Sequence, residues 1–288
     1  MKTTFLSLSL ASTIPLSAAT IYSGAEVFVN EAVRYGKFEA RMQMAAGSGT
    51  VSSMFLYYND SYLGGAEPWR EVDIEILGKS PNSFQSNIIT GNASNKVMSE
   101  LHHDVPGGTN TGFHTYALEW TPDYVAWLID GIEVRRSTDQ QVIDLRDKDE
   151  NLRFNLWSST QTSWVGAWDE SILPIHQYIN WVQYSAYTPG QGPNGTNFTF
   201  SWKDDFEQFD YTRWGLANWT FNQNRVTFSP ENVTVKDGVM ILSMTKDPQT
   251  GHTGSVPTDQ PSPIKILRTS YQPSISSSFD LIGRTQEK

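Results

Sequence analysis

Apolar and polar residues alternate with period two along most of this chain, and that alternation restricts it to β structure. From Tyr35 onward Phe38, Ala40, Met42 and Met44 interleave with Lys37, Glu39, Arg41 and Gln43. A strand built this way turns one apolar side to a core and one polar side away from it. SSMFLYY, SFQSNIITG, FHTYALEW, YVAWLI, IEVRR, LRFNLW and NWVQYSAY continue the pattern, and FTFSW, WTFNQNRVTF and VMILSM resume it later. Thr121-Pro122-Asp123 supplies a turn between two of them, and Asp130-Gly131 and Asp237-Gly238 suit tight hairpins. A helical period is confined to about one turn around Asp169–Leu173. Many strands at regular spacing with hairpin turns predict an all-β chain, an antiparallel sandwich or jelly roll.

The stretch TPGQGPNGTN, residues 188–197, reads as a linker. The strand block after it is too short to bury a core alone, so it is expected to complete the first sandwich, in one domain over residues 20–247. Residues 248–288 are rich in Pro, Ser, Thr and Gln and are expected to form a disordered tail. At the start, Lys2, a modest apolar run and the small residues Ser17-Ala18-Ala19 predict a secretory signal over residues 1–19. The 288 residues include no cysteine, which excludes a disulfide framework and thiolate metal sites. Export without cysteines points to a bacterial, extracellular protein.

Like charges two residues apart on a strand repel, yet WREVDIEILG places Glu71, Asp73 and Glu75 on one side, with Val72, Ile74 and Ile76 on the other. The Cα atoms of Glu71 and Glu75 would lie about 13 Å apart. Two Glu side chains leaning inward by about 4 Å each bring the carboxylates within about 5 Å. That is the spacing a retaining glycosidase needs: one carboxylate attacks the anomeric carbon, the other protonates the leaving oxygen and then activates water. Asp73 between them would hold the nucleophile and raise the acid's pKa by repulsion. A solvated acidic strand face or a calcium-binding edge would use the same residues, and spacing alone leaves these open.

Aromatic residues favour the catalytic alternative, because a sugar ring offers apolar C–H faces that stack on flat side chains. Phe55, Tyr57 and Asn59 share one face of the preceding strand, Gln85 and Asn87 one face of the following strand, and Asn155 and Trp157 one face of LRFNLW. The net charge of −10 disfavours nucleic acid and anionic membranes as partners and is compatible with a neutral polymer and a monomeric enzyme. His102-His103 lacks a third ligand at metal spacing and is expected on a surface loop.

These residues carry a resemblance. WREVDIEILGK resembles the catalytic strand of glycoside hydrolase family 16, and YGKFEARMQMAAGSGTVSSMFLYYN, FHTYALEWTPDYVAWLIDG and RFNLWSS are similar to the same family. The block DDFEQFDYTRWGLANWTFNQNRVTF with DGVMILSMT resembles the part with which family members usually begin, and here it comes last. The order is similar to circularly permuted bacterial members active on 1,3-1,4-β-D-glucan, with residues 188–197 joining the old ends. The resemblance implies a jelly roll with a concave cleft and mixed-linkage β-glucan as substrate. It implies Glu71 as nucleophile, Glu75 as acid/base and Asp73 as the assisting carboxylate. By motif position it implies glucan contacts from Phe55, Tyr57, Asn59, Gln85, Asn87, Glu100, Arg153, Asn155, Trp157, Trp164, Trp219, Phe221 and Asn224. Trp69 is expected to pack beside the catalytic strand and not to contact the chemistry. A structural Ca2+ is implied at Asn180, Asp205 and the carbonyl of Gly238. Alternatives of another kind are a glycan-binding module without chemistry, or a relative acting on xyloglucan or 1,3-β-glucan.

Overall fold

Each alternating stretch becomes a strand whose apolar side faces a second sheet, and the pairing order decides which polar sides meet. The computed structural model describes residues 21–260; the expected signal at 1–19 and the stretch 261–288 of the expected tail lie outside them. The strands are β1 (Tyr22–Val29), β2 (Gly36–Gln43), β3 (Val51–Tyr57), β4 (Glu71–Leu77), β5 (Ser83–Asn92) and β6 (Asn95–Met98). They continue as β7 (Leu101–Asp104), β8 (His114–Trp120), β9 (Val125–Ile129), β10 (Ile132–Ser137), β11 (Asn151–Trp157) and β12 (Ile175–Tyr187). The last block holds β13 (Phe198–Asp204), β14 (Trp214–Leu216), β15 (Thr227–Phe228), β16 (Val233–Lys236) and β17 (Val239–Lys246).

One antiparallel sheet runs β14–β1–β11–β3–β4–β5, with β6 and β7 both paired to β5. The other runs β16–β17–β12–β2–β8–β9–β10, with β13 paired to the later half of β12. This is the predicted antiparallel β-sandwich. Asp130-Gly131 and Asp237-Gly238 close their hairpins with φ of 48° and 78°, and 53° and 73°, the left-handed pair that a two-residue turn requires. The expected linker is itself a short hairpin loop between β12 and β13. The last block supplies an edge to both sheets, β14 beside β1 and β17 beside β12, so neither sheet is complete without it.

The core lies between the sheets. Val27, Met54, Leu56, Val72, Ile74 and Phe154 on one side meet Phe38, Met42, Trp127, Val182 and Leu242 on the other, all fully or nearly fully buried. Two polar contacts cross this apolar layer. The Trp127 indole N–H donates to the Asp73 carbonyl at 2.8 Å, and the Gln177 amide donates to the Ser53 carbonyl at 3.2 Å while accepting from the Ser52 hydroxyl. Buried hydrogen bonds of this kind leave a strand little freedom to slide. They fix β3 and β4 from behind, at the residues whose other sides carry the acidic row.

Several elements depart from the sequence reading. β1 begins well before Tyr35. WTFNQNRVTF forms a strand only at Thr227–Phe228 and is otherwise turn and loop. A helical turn over Gln140–Asp144, capped by the Asp139 carboxylate, is anchored by Gln141, whose amide donates to the carbonyls of Ile88 and Val97. His102 and His103 lie on β7 instead of a loop. Residues 248–260, expected to begin the disordered tail, are instead laid along the second sheet. The Gly251 amide donates to Asn232, His252 packs its ring 4.6 Å from that of His176, and Asp259 accepts from Arg41 at 2.8 and 3.0 Å. No helix among the described residues is long and apolar enough to cross a membrane.

Candidate active site

Strand parity carries the acidic row onto the face turned away from the core, and sheet register then sets its neighbours. Across β3, β4 and β5 the rows read Tyr57–Glu71–Ile89, Phe55–Asp73–Asn87 and Ser53–Glu75–Gln85. Two strands further, Arg153 pairs with Phe55 and Phe28, and Asn155 with Ser53 and Glu26. Although no strand layer covers this face, Asp73, Gln85, Asn87, Arg153 and Asn155 are only 2% to 8% exposed. Loops on either side therefore rise above the sheet and make its face the floor of a trough.

One wall is built jointly by the middle and the last part of the chain. Trp157 packs edge-on against Phe221 at 5.0 Å and against Trp164 at 5.8 Å. Main-chain bonds from Thr160 to Gln223 and from Arg225 to Ser158 lock the two loops together. Trp219 and Phe221 keep 39% and 43% of their surfaces exposed, and Trp219 leans on Phe28. The expected aromatic residues thus converge. Trp164 donates its indole N–H to Gln85 at 3.1 Å, and Gln85 donates to Glu100 at 2.6 Å. Arg153 donates to Asn59 at 2.6 Å. Asn224 lies in the same wall but uses its carboxamide oxygen to cap its own turn, accepting from Val226 N–H. Asn87 accepts from the Ser99 amide, so its oxygen is already engaged.

Four participants escaped the sequence reading. Glu26, on the unread β1, binds Arg153 at 2.5 Å and accepts from Asn155 at 3.2 Å; Ser53 donates to Asn155 at 2.5 Å. Trp69 corrects an expectation: its indole N–H donates directly to Glu71 Oε2 at 2.6 Å. Lys96, at the tip of the β5–β6 hairpin, sets its ammonium 3.2 Å from the centroid of the Trp69 ring. Residue 69 shares the odd parity of 71, 73 and 75, a signal that could have placed it on the same face; nothing local in the sequence marks Lys96.

The three carboxyls are tuned apart. Burial pushes Glu75 up to about 8, and the charges of Glu71 and Glu100 act in the same direction. Asp73 is raised well above the usual carboxylate range, first by burial and then by Glu71 and Glu75. A side-chain hydrogen bond joins it to Glu71. Burial raises Glu71 too, and the Trp69 N–H, the Lys96 ammonium, the Asp73 hydrogen bond and the Arg153 guanidinium offset only part of that rise. Glu75 is thereby suited to hold a proton, while the donors gathered on Glu71 oppose the effect of burial there, a difference that acid and nucleophile roles can use.

The residues implied for calcium were tested for fit. Gly238 and the Asp205 carbonyl are brought together, since a Cβ on Gly238 would sit 3.7 Å from that oxygen. Asn180 lies on β12 between residues paired to β17 and to β13, and its amide donates to Asp259 at 2.8 Å. The Asp205 carboxylate is ion-paired with Lys203. The oxygen-only donor chemistry suits a hard cation, and the Asp205 carbonyl is free of the ion pair that engages the Asp205 side chain. Among the described residues no group of three or more Asp, Glu or His side chains is gathered as a metal cage.

Comparison with known proteins gives a consistent family. Residues 2–182 match the family described as Glycosyl hydrolases family 16. A beta-glucanase of Fibrobacter succinogenes (strain ATCC 19169 / S85) is 54% identical over 247 residues, covering 85% of this chain and 70% of that protein. A beta-glucanase of Brevibacillus brevis is 32% identical over 170 residues, covering 59% and 62%. Among solved structures, a prokaryotic beta-1,3-1,4-glucanase (lichenase) derived from a mouse hindgut metagenome is 29% identical, with a TM-score of 0.48 over 56% of this chain and 78% of that one.

The raised Glu75 has a consequence for stability. A carboxyl whose pKa is higher in the folded state contributes stability that is fully present below its unfolded value near 4.5 and is lost as pH rises toward about 8. Glu75→Gln should therefore raise the melting temperature at pH 8 relative to the unaltered protein and leave it nearly unchanged at pH 4. Thermal melts at the two pH values test this, and equal shifts at both would contradict the assignment of strain to that proton.

Proposed function

This chain belongs to the glycosyl hydrolases of family 16, and on that premise we propose that it is a retaining endo-β-glucanase cutting β-1,4 bonds next to β-1,3 linkages in mixed-linkage β-glucan. The observation that carries the mechanism is the asymmetry within one strand: Glu71 accepts from the Trp69 indole with Lys96 stacked on that ring, while Glu75, pushed up to about 8, holds a proton. In the proposed reaction the Glu71 carboxylate attacks the anomeric carbon. The glycosidic C–O bond breaks as Glu75 passes its proton to the leaving oxygen, leaving a glycosyl ester on Glu71. Glu75, now ionised, takes a proton from water, which attacks the anomeric carbon and frees Glu71. Asp73 orients Glu71 through the hydrogen bond between the two side chains.

Substrate is held, in this reading, by the aromatic wall and the polar floor. Tyr57, Trp157, Trp164, Trp219 and Phe221 offer surfaces to the apolar faces of glucosyl units, Asn59 and Glu100 offer hydrogen bonds at the rim, and the covered Gln85 holds Trp164 and Glu100 in place. Phe55, Arg153 and Asn155 are nearly covered and serve by holding the floor flat, Arg153 and Asn155 through Glu26. The linkage preference is proposed from the beta-glucanase relatives and the lichenase-like strand motif. Circular permutation is proposed from the order of the blocks, with β13 to β17 completing both sheets. Export is proposed from the composition of residues 1–19.

A structural Ca2+ at Asn180, Asp205 and Gly238 is proposed from the proximity of the Gly238 and Asp205 main chains. Such an ion would tie the β12, β13 and β17 ends together and take no part in proton transfer or attack. Excess chelator should then lower the melting temperature while leaving the initial rate at moderate temperature nearly intact; an unchanged melting temperature would remove the ion from the account.

Glu71→Gln and Glu75→Gln should each lose several orders of magnitude in turnover on barley β-glucan while melting as folded proteins. In the unaltered protein kcat/KM should fall above about pH 8, as Glu75 loses its proton. Near-normal turnover by either variant would overturn the mechanism. Reducing-sugar release should be highest from barley β-glucan, with laminarin, xyloglucan and carboxymethylcellulose as comparisons; a preference for one of these would keep the carboxylates and move the specificity.

A further inference from the structure

The β5–β6 hairpin places a cation above the residue that holds the acidic row's first member. Lys96 lies opposite Gly91 in register, and the Trp69 amide donates to the Gly91 carbonyl at 2.8 Å. A side chain at Gly91 would bring a Cβ within 2.2 Å of the Asn95 carbonyl oxygen, so this tight approach requires glycine. The hairpin therefore fixes both partners of the stack, the Trp69 backbone below and the Lys96 ammonium 3.2 Å from the ring centroid. Tyr57 closes on the same indole edge-on at 5.7 Å. The ring is held on several sides while its N–H points at Glu71 Oε2, 2.6 Å away.

A cation over an indole face is attracted to the electron-rich π system. In turn it draws those electrons toward itself, which leaves the ring N–H more positive and a better donor to a carboxylate, since linked polar contacts reinforce one another. We propose that Lys96 is a positioning residue for this reaction, acting through Trp69 to hold Glu71 oriented and ionised. The proposal rests on reading Glu71 as the nucleophile.

The other groups facing Glu71 do not duplicate this. Asp73 and Glu75 share its strand, Tyr57 faces it from β3, and Glu150 interacts with it from the chain just before β11; the Asp73 hydrogen bond favours the Glu71 anion, but none of these groups brings a positive charge. Arg153 on β11 is the second cation, but its guanidinium is shared with Glu26 at 2.5 Å and with Asn59. Lys96 thus adds a positive charge from the side opposite Arg153, along a route that passes through the hydrogen bond Glu71 already receives.

The test is the pH dependence of kcat/KM on barley β-glucan for the full chain and for Lys96→Met, Lys96→Gln, Lys96→Arg, Trp69→Phe and Trp69→Phe/Lys96→Met, with KM read separately. Removing a positive charge raises the pKa of a nearby carboxyl, so Lys96→Met and Lys96→Gln should move the acid limb upward by about half a pH unit. That corresponds to about a threefold loss on the acid side, with KM unchanged and the plateau rate recovered at higher pH. Lys96→Arg should restore the limb, and Lys96→Met should add little once Trp69 is Phe. Lys96 is exposed on its hairpin, and melting curves confirm folding of each variant. An unmoved limb beside an inactive Glu71→Gln overturns the role of Lys96 and leaves the nucleophile in place. An active Glu71→Gln overturns both. An equal shift with and without Trp69, or an effect on KM alone, overturns the route through the indole.

Discussion

Everything on the trough side of this sandwich follows from burying three carboxyls in one row. Side chains two residues apart on a strand cannot turn away from each other, so their mutual repulsion cannot be relieved by rotation. Burial then removes the solvent that would otherwise screen it. The surroundings answer with protons and donors. Asp73 is raised well above the usual carboxylate range, Glu71 takes an indole N–H, and Glu75, pushed up to about 8, is left to hold its own proton at neutral pH. Among the described residues, the positive charges that bear on Glu71 come from Lys96 on one side of the strand and Arg153 on the other. A strand under this strain has to be held, and the Trp127 and Gln177 side chains reach through the core to do so from behind.

How much of this was legible in the sequence depended on the range of the interaction. The shared face of Glu71, Asp73 and Glu75 is a property of one strand, and its parity is visible in seven residues. The two Asp-Gly hairpins are local in the same way. β1 shows Ala25, Val27 and Val29 alternating with Glu26 and Phe28, so its pattern was present; its meaning lay in the pairing of Glu26 with Arg153 from 127 residues away. WTFNQNRVTF alternates as a strand should, yet Gln223 adopts a φ of 69° and Asn224 caps the Val226 N–H, so local turn chemistry overrides the period. The helical turn over Gln140–Asp144 is too short to display a period, and its only local sign is the Asp139 cap. Residues 248–260 lack the apolar content of a core segment. They are ordered by specific polar anchors, the buried Asn232 and the Arg41–Asp259 pair, which composition does not register.

The same distinction separates the two glutamates. Their sequence surroundings are similar, each separated from the shared neighbour Asp73 by one apolar residue, Val72 or Ile74. Nothing in E-V-D-I-E says which one holds a proton. The difference is made across the sheet, where Glu71 stands at the end reached by Trp69, Lys96 and Arg153, and Glu75 stands at the end whose acidic company includes Glu100. Burial acts on both glutamates alike, so the difference between them comes from these neighbours and not from the strand. The direction in which a sugar chain is attacked in the proposed reaction is thus fixed by the β5–β6 hairpin and by β11, elements that touch the motif but are not part of it.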